Sequence, residues 1–295
     1  HEMYFPLEPV LDELQAAEKQ IQEKINAFKL AEKWKLPRAH GHAGYSTPTP
    51  TTDGQHIRVV FGNGIAACYD LEGKRKWIRK VDEARGGFGN TASPVLVDGK
   101  LLVHMTHLTA LNAKTGEQLW QTRASGSFGT SMTVKVAGEE MLLTPASELF
   151  RLKDGERVAR GRGRLAYASP IRDGRRVYFI QQQCRALEVP TELNPNEKKQ
   201  ELKSLWSGRL DGRRFFNSPI LHQGLIYTIN NERKYAVIQA SDGKVVLEKE
   251  LDLGKGNVYP TMALAGKHLL VSSSNGTTLV LEIGKQYKEV ARNQL

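Results

Sequence analysis

The histidines are the residues of this sequence whose spacing best suits a metal ion. His40 and His42 are separated by one glycine, and neutral imidazole is a common metal ligand. A zinc site needs at least a third protein ligand, for which His104 and His107 are the candidates. Loop histidines without such a ligand are usually just solvated, and we therefore expect no metal site.

The two cysteines, Cys68 and Cys184, lie 116 positions apart and form no closely spaced metal-binding or redox pair. Each falls on a predicted strand just ahead of a turn, so we expect both to be unpaired and packed inside. The sequence contains no nucleophile elbow, no phosphate-binding glycine loop and no helical His-Glu pair. We therefore predict no catalytic residue, although a pair of catalytic carboxylates stays open.

The chain carries 42 basic and 32 acidic residues, a formal net charge of +10. A basic protein can bind nucleic acid or another polyanion. Here the basic residues are dispersed through turns, and no basic module is interleaved with aromatic residues. We therefore interpret the charge as a solvated surface and expect no nucleic-acid partner. No apolar run approaches the roughly 18 residues of a transmembrane helix, so no transmembrane segment is predicted.

Residues 7–33 predict an N-terminal α-helix. Their apolar side chains follow the three-four spacing of one helical stripe, and Pro37 lies just beyond the end. A narrow stripe needs a partner, and we expect it to pack on a neighbouring element, with a short coiled-coil seam as the alternative. The stripe consists of Leu7, Leu11, Leu14, Ile21, Ile25 and Phe28.

From residue 45 the sequence is a repeat of short strands and turns. Five of the six units open with a small residue and the last with Tyr259, five of the six openings contain proline, and the openings recur every 38 to 49 residues. A period of about 42 residues with four strands is typical of a β-propeller blade. We therefore predict an all-β fold, a β-propeller of four-stranded antiparallel blades. The openings are Thr47-Pro48, Ser93-Pro94, Ser131-Met132, Ser169-Pro170, Ser218-Pro219 and Tyr259-Pro260.

Glycine turns and tryptophans recur at fixed places in the repeat. Pairs such as Asp98-Gly99 and Thr115-Gly116 supply the positive φ that tight hairpins need. A tryptophan four residues after the closing glycine, as in Trp77 and Trp120, is expected to fill the gap between blades. In the fourth repeat Pro190–Gln200 replaces the tight turn, and its polar, proline-containing sequence predicts an exposed loop insertion.

The segment Ala110–Trp120, which reads ALNAKTGEQLW, resembles the repeat of pyrroloquinoline-quinone-type (PQQ-like) β-propellers. Segments 67–77 and 240–244 carry the same pattern, and the resemblance covers about residues 34–291. This family includes quinoprotein alcohol dehydrogenases, the propeller lipoprotein of the outer-membrane assembly machine, and secreted propellers of unassigned role. The resemblance implies a bacterial protein outside the cytoplasm, periplasmic or secreted, although no signal peptide is visible.

The chain departs from the enzymes of that family. Quinoprotein dehydrogenases carry a vicinal disulfide over the cofactor, whereas Cys68 and Cys184 are far apart. Their calcium ion is bound by a Glu, an Asn and an Asp, and no such trio can be placed here on matching motifs. We therefore expect neither PQQ nor calcium to bind. A quinoprotein-type oxidoreductase remains an alternative.

The family's blade order places the loop before each opening at the mouth of the ring. These loops carry aromatic, amide and basic groups that suit a polar ligand with flat faces, such as a sugar, or an extended peptide. The alternative is that the aromatic side chains wedge between blades and the amides satisfy turns. The candidate ligand-binding residues are His40, His42, Tyr45, Phe88, Asn90, Phe128, Tyr167, Arg214, Phe215, Asn217, Asn257 and Tyr259.

Trp34 stands where the outer strand of a preceding blade would end. We therefore expect residues 1–33 to be the end of an insertion in a first blade that is mostly missing, and residues 34–295 to form the propeller repeats. The six visible repeats would then belong to a seven- or eight-bladed ring, with a closed six-bladed ring as the alternative.

Three functions follow from these observations. The first is a non-catalytic scaffold that binds a partner protein or a polar ligand, including a carbohydrate, at the ring mouth. The second is the quinoprotein-type oxidoreductase. The third is binding or processing of an anionic polysaccharide, which the charge of +10 favours. Nothing in the sequence indicates the oligomeric state.

Overall fold

A computed structural model describes residues 7–27, 45–83, 89–194, 197 and 200–295. The predicted N-terminal helix is present as α1, Leu7–Ala27. Leu11, Leu14 and Ile21 on its apolar stripe are exposed, so the expected packing onto a neighbouring element is not seen for these side chains. Within the described residues no helix has the length and apolar character needed to cross a membrane.

The rest of the described chain forms six antiparallel sheets of four strands, which we call the first to the sixth blade, with one strand added to the third. The first three blades contain β1 (Thr51–Thr52), β2 (His56–Val60), β3 (Ile65–Asp70), β4 (Arg75–Lys80); β5 (Val95–Val97), β6 (Lys100–His104), β7 (His107–Asn112), β8 (Gln118–Arg123); β9 (Met132–Val136), β10 (Glu139–Leu143), β11 (Glu148–Arg151) and β12 (Arg157–Arg160). The fourth to sixth contain β13 (Ile171–Asp173), β14 (Arg176–Phe179), β15 (Gln183–Glu188), β17 (Lys203–Arg209); β18 (Ile220–His222), β19 (Leu225–Ile229), β20 (Lys234–Gln239), β21 (Val245–Glu250); β22 (Ala263–Ala265), β23 (His268–Ser272), β24 (Thr277–Glu282) and β25 (Glu289–Gln294). The added strand is β16 (Gln200–Glu201).

The strand order of each blade follows the chain, so consecutive strands pair side by side. β1 contacts β5, and β13 contacts β18, which shows that the first strands of neighbouring blades lie together. The core is accordingly divided into layers between blades. In one such layer Tyr178 of the fourth blade packs with Ile226 and Ile238 of the fifth, all almost fully buried. This is the architecture of a β-propeller, as the repeat predicts.

The turn chemistry follows the same prediction. Val97 pairs with Lys100 across a two-residue hairpin, whose Asp98 and Gly99 have φ of 47° and 68°. Two consecutive residues with positive φ match the right-handed twist of the flanking strands, and the Asp-Gly pair tolerates this backbone.

Tryptophans on the outer strands dock three blades onto the blades that follow them, as expected from their fixed place in the repeat. The indole N–H groups donate to backbone carbonyls of the next blade: Trp77 to Ala113 at 3.3 Å, Trp120 to Leu152 at 2.9 Å and Trp206 to Ala240 at 2.9 Å. Each indole also lies against the turn glycine of that blade, where an added Cβ would meet the ring at about 2.5 Å. The glycine is therefore required for this close approach as well as for its positive φ.

In the sixth blade, the strand register corrects the expected position of the residue that is equivalent to the docking tryptophan. Trp77 pairs with Cys68 next to a β-bulge, and Ala291 pairs with Val280 at the same place. The residue equivalent to the tryptophan is therefore Ala291, whereas a fixed count from Gly284 leads to Lys288. The reason is that the loop between β24 and β25 has six residues, whereas the closing turns of the first, second, third and fifth blades have four or five.

The insertion Pro190–Gln200 does not end as an exposed loop. It leads to β16, which pairs in parallel with β12 on the outer edge of the third blade. The amide of Leu202 donates to the carbonyl of Arg160 at 2.8 Å, and the Leu202 side chain is buried. The third blade has Ala159 in place of the docking tryptophan, and this strand covers the edge beside it.

Arg58 joins the first blade to the second. It is buried, its Nε donates to the carbonyl of Ala113 at 2.9 Å, and its guanidinium pairs with Asp53 at 2.9 Å. Hydrogen bonds from Arg58 and from the amides of Gln55 and His56 hold the pKa of Asp53 well below its usual range.

We expect Asp53→Asn to remove a stabilisation that depends on pH. A lowered pKa in the folded state stabilises the fold above the unfolded pKa of about 4, and this contribution is lost as pH falls further. The variant should therefore be less stable than the wild type at pH 7, and the difference should shrink as pH falls below about 4. Urea unfolding followed from pH 7 to acid pH measures this difference. A stability difference between the wild type and the variant that grows towards acid pH would contradict the lowered pKa of Asp53.

Candidate functional site

Four aromatic side chains form a continuous row across one end of the propeller. Phe128 stacks on Tyr167 at 5.8 Å between centroids, Tyr167 meets Phe216 edge to face at 4.8 Å, and Phe216 meets Tyr259 at 5.2 Å. Tyr167 and Tyr259 are exposed, by 40% and 55%, and Phe128 and Phe216 are half-buried. We call these four residues the aromatic arc.

Each arc residue comes from the loop that leads from the outer strand of one blade to the inner strand of the next. The loops follow β8, β12, β17 and β21. Hydrogen bonds join successive loops. The backbone amide of Phe128 donates to the carbonyl of Ala166 at 2.9 Å, and the side-chain Oγ of Ser127 donates to the carbonyl of Leu165 at 2.9 Å. The arc is therefore built on mutually braced loops, which fixes the spacing of its rings.

A chain of hydroxyl groups braces the same loops on their inner side. In each case a backbone amide donates to the Ser or Thr hydroxyl of the next blade. The pairs are Thr49 to Ser93 at 2.9 Å, Ser93 to Thr130 at 3.0 Å, Thr130 to Ser169 at 2.9 Å and Ser169 to Ser218 at 3.0 Å. Three of these positions, Ser93, Ser169 and Ser218, are the small residue before an opening proline, for which the repeat itself predicts no role.

Of the predicted ring-mouth residues, Phe128, Tyr167 and Tyr259 lie in the arc. Arg214 is exposed and has a positive φ of 56°. Asn257 is exposed, and its side-chain oxygen accepts a hydrogen bond from Asn231 at 3.0 Å. These five are the predicted candidates that reach solvent around the arc.

Three further candidates have structural contacts. Asn90 and Asn217 are buried, and their amides donate to backbone carbonyls, Asn90 to Ala92 at 3.2 Å and Asn217 to Val258 at 3.4 Å. The carbonyl of Tyr45 accepts the amide of Gly62 at 2.6 Å. The two amides thus satisfy loop backbone, the alternative stated for such groups. His40, His42 and Phe88 lie outside the described residues.

Phe215 and Phe216 have opposite surroundings. Phe215 is 4% exposed and packs in the core with Leu210 and Ile226. Its neighbour Phe216 was not among the candidates, yet it occupies the centre of the arc. Nothing in the dipeptide itself distinguishes the two rings. Alignment with Tyr167-Ala168-Ser169 identifies Phe216, since it stands two residues before Ser218.

Charges around the arc are unbalanced. Both carboxylates in the four arc loops are paired, Asp211 with Lys234 and Asp252 with Arg292. Several cations in the same loops are exposed and have no carboxylate partner among the residues that the structure describes; they are Arg164, Arg213, Arg214 and Lys255. The arc is therefore an apolar surface with positively charged surroundings.

Two grooves lie between blades. One of about 200 Å³ lies between the fourth and fifth blades and is lined in part by Asp211, Lys234 and Tyr235. Lys234 forms an ion pair with Asp211. The other, of about 810 Å³, lies between the second and third blades and is lined mainly by charged and polar side chains. Neither groove is lined by a row of aromatic side chains.

Metal-binding side chains do not gather in the part of the chain that the structure describes. There, no group of three His, Cys, Asp or Glu residues is close enough to hold a metal ion. His104 is buried, with its Nδ1 3.4 Å from Ser131 Oγ. His107 Nδ1 lies 3.3 Å from Asp82 Oδ1. His104 and His107 thus contact a hydroxyl group and a carboxylate.

Both cysteines are free and buried. Cys184 Sγ donates to the carbonyl of Gln181 at 3.0 Å, and burial raises the pKa of its thiol to about 12. Burial also raises the pKa of Cys68. Neither thiol is therefore suited to act as a nucleophile or a redox group at neutral pH.

We expect both thiols to be unreactive in the folded protein. At pH 8 a disulfide reagent such as Ellman's reagent should label neither at a measurable rate, because the thiolate is scarce and access is blocked. Both should react within the mixing time after unfolding in guanidinium chloride. Rapid labelling of one native thiol would contradict the burial described here.

Comparison with solved structures identifies several propellers of similar fold. BamB from Moraxella catarrhalis matches with a TM-score of 0.62 and 16% identity over 88% of this chain and 76% of that chain. The C-terminal WD40 domain of Sif2 has a TM-score of 0.61 and 9% identity, over 88% and 74%. The computationally designed Ika8 protein has a TM-score of 0.60 and 10% identity, over 84% and 74%.

No protein-family model matches the chain, and no curated protein matches it. At these identities the similarity concerns the fold alone. The resemblance of the repeat to PQQ-like propellers is confirmed at that level, since blades of this architecture recur in BamB. The chain is an all-β propeller of four-stranded antiparallel blades with an N-terminal helix.

Proposed function

We propose that this protein is a non-catalytic β-propeller scaffold that binds a partner protein through the aromatic arc at the ring mouth. The exposed arc carries this proposal. A soluble protein seldom places four large rings in one continuous surface row, and such patches are typical of interaction sites. Aromatic and arginine side chains are also the residues that dominate binding energy at protein interfaces.

The propeller neighbours support a scaffold role only at the level of fold. The geometry of the loops adds to this support. Because the loops are braced by hydrogen bonds between blades, the arc is formed before a partner arrives. A preformed surface loses little conformational entropy on binding, which favours stable recognition.

Substitution of the arc tests the proposal. Tyr167→Ser combined with Phe216→Ser should abolish retention of partner proteins from an extract of the source cells, measured by quantitative mass spectrometry. Leu119→Ser, at an exposed position of β8, is the control and should retain the same proteins as the wild type. If both variants retain the same set, the arc is not the binding surface.

An anionic polysaccharide is the second candidate ligand. The unpaired cations around the arc and the net charge of +10 favour it. Binding to an array of anionic glycans that is lost in the arc variant would support this candidate over a protein partner. We also propose, from the resemblance of the repeat alone, that the protein is periplasmic or secreted, and fractionation of cells that express the full gene tests this.

A quinoprotein-type oxidoreductase is the least supported alternative. The family's vicinal disulfide has no counterpart, because Cys68 lies in β3 and Cys184 in β15 and both are buried. The residues in hand therefore do not fit the quinone, and we propose that neither PQQ nor calcium binds. Dye-linked alcohol oxidation after addition of PQQ and calcium would overturn this proposal.

A further inference from the structure

We infer that the partner segment at the arc is an extended acidic peptide whose carboxylates alternate with apolar side chains. This inference rests on the proposed function and specifies the chemistry of the partner. It depends on three features of the described residues: the excess of unpaired cations, the way the rings pack on one another, and the rigidity of the loops that present the cations.

The cations lie at regular places beside the rings. Arg164 precedes Tyr167 by three residues, Arg213 precedes Phe216 by three, and Lys255 precedes Tyr259 by four. Three residues of chain span at most about 11 Å and four at most about 14 Å, so each cation lies near its ring in the same loop. A partner that crosses the arc therefore meets positive charge at each of three successive blades.

The packing of the rings disfavours partners that bind by stacking. Tyr167 has Phe128 on one side and Phe216 on the other, and Phe216 lies between Tyr167 and Tyr259. The faces of the two central rings are therefore partly covered by their neighbours. Bases, and sugars in the same way, need a free aromatic face to stack on. The two central rings therefore offer an incomplete stacking surface, and aromatic edges carry partial positive charge that suits a carboxylate.

Hydrogen bonds hold the backbone of the loops that carry Arg164 and Arg214. Gln181 binds the loop at Arg164 through its side chain. Its side-chain nitrogen donates to the carbonyl of Arg164, and its side-chain oxygen accepts from the backbone amide of Ala166. The carbonyl of Arg214 accepts the amide of Asn231 at 3.0 Å. Guanidinium groups carried by such loops can bind carboxylates in a bidentate way, which gives an acidic segment both affinity and register.

Fluorescence anisotropy with a synthetic probe tests the inference. The probe is a short labelled peptide that repeats Asp-Leu-Glu-Ser, and its counterpart carries Lys at the acidic positions. We expect the acidic peptide to bind and the basic one not to bind. Arg164→Glu with Arg214→Glu should weaken binding at least about tenfold, and raising the salt concentration should weaken it further.

Arg172→Glu is the matched control, because Arg172 is an exposed arginine of β13, outside the arc loops. It should change binding less than about twofold, as expected for a charge outside the interface. Equal binding of both peptides, no binding of the acidic peptide, or unchanged binding by the charge-reversed variant would each overturn the inference. A heparin fragment bound more tightly than the peptide would overturn it in favour of a polysaccharide.

The two proposals fail in distinguishable ways. One outcome is that the Tyr167→Ser, Phe216→Ser variant loses its cellular partners while the charge-reversed variant keeps them. In that case the inference of an acidic partner segment is wrong, and the arc remains the binding site. If both variants keep them, the arc itself is not the site. Circular dichroism melting of each variant shows whether a loss of binding reflects a loss of fold.

Discussion

Trp206→Ala should destabilise the protein by about 3–5 kcal/mol, the range for removing a large buried aromatic side chain. Trp206 is only 8% exposed, donates its indole N–H to the carbonyl of Ala240 at 2.9 Å and lies against Gly243 of the fifth blade. Alanine would leave a cavity between the fourth and fifth blades and an unpaired carbonyl. Urea unfolding measures the change in the free energy of unfolding.

Two variants control this result. Trp206→Phe keeps a ring but loses the N–H donor, and it should lose clearly less stability than alanine because part of the packing remains. Leu119→Ala, at a position 48% exposed on β8, should stay within about 0.5 kcal/mol of the wild type. If Trp206→Ala unfolds at the same urea concentration as Leu119→Ala, the tryptophan does not dock the blades.

Gly243→Ala should be markedly more destabilising than Gly224→Ala. The two glycines have nearly equal φ, 77° and 73°, so each substitution carries the same backbone cost of about 1–2 kcal/mol. A Cβ at Gly224 would meet nothing within 4 Å, whereas a Cβ at Gly243 would lie 2.5 Å from Trp206. The clash should add about 1–3 kcal/mol, the usual cost of overpacking.

A double-mutant cycle isolates that contact. In the Trp206→Ala background the ring that causes the clash is gone, so the extra cost of Gly243→Ala over Gly224→Ala should disappear. The measured quantity is the free energy of unfolding of the single and double variants. An extra cost that persists without the tryptophan would show that Gly243 is needed for another reason.

The parts of the fold that depend on short stretches of sequence could be predicted. The Asp98-Gly99 turn and the Trp120 position are set by local backbone conformation and by a side chain repeated at a fixed distance. A glycine with positive φ recurs in the first turn of every blade and the tryptophan recurs in three blades, so their period indicates a propeller. Each of the three blades that carry the tryptophan docks onto the blade that follows it, as the repeat predicts.

Other features depend on contacts between distant segments. β16 pairs with β12 of the third blade at Ala159 and Arg160, and no local pattern in Pro190–Gln200 indicates that partner. The arc was predicted in part, since three of its rings were candidates. Phe216 was missed because nothing in the Phe215-Phe216 dipeptide itself distinguishes the two rings. The signal that separates them is the spacing from Phe216 to Ser218, which matches the spacing from Tyr167 to Ser169.

Site-specific photo-cross-linking tests the central claim most directly. A benzophenone amino acid placed at Tyr167 in the arc, and at Leu119 outside it, is irradiated in cells that express the full-length gene. We predict a defined cross-linked product at position 167 and none at 119, with mass spectrometry mapping it to an acidic segment of a partner protein. Equal products at both positions, or none at 167, would contradict the arc as the binding surface of this propeller.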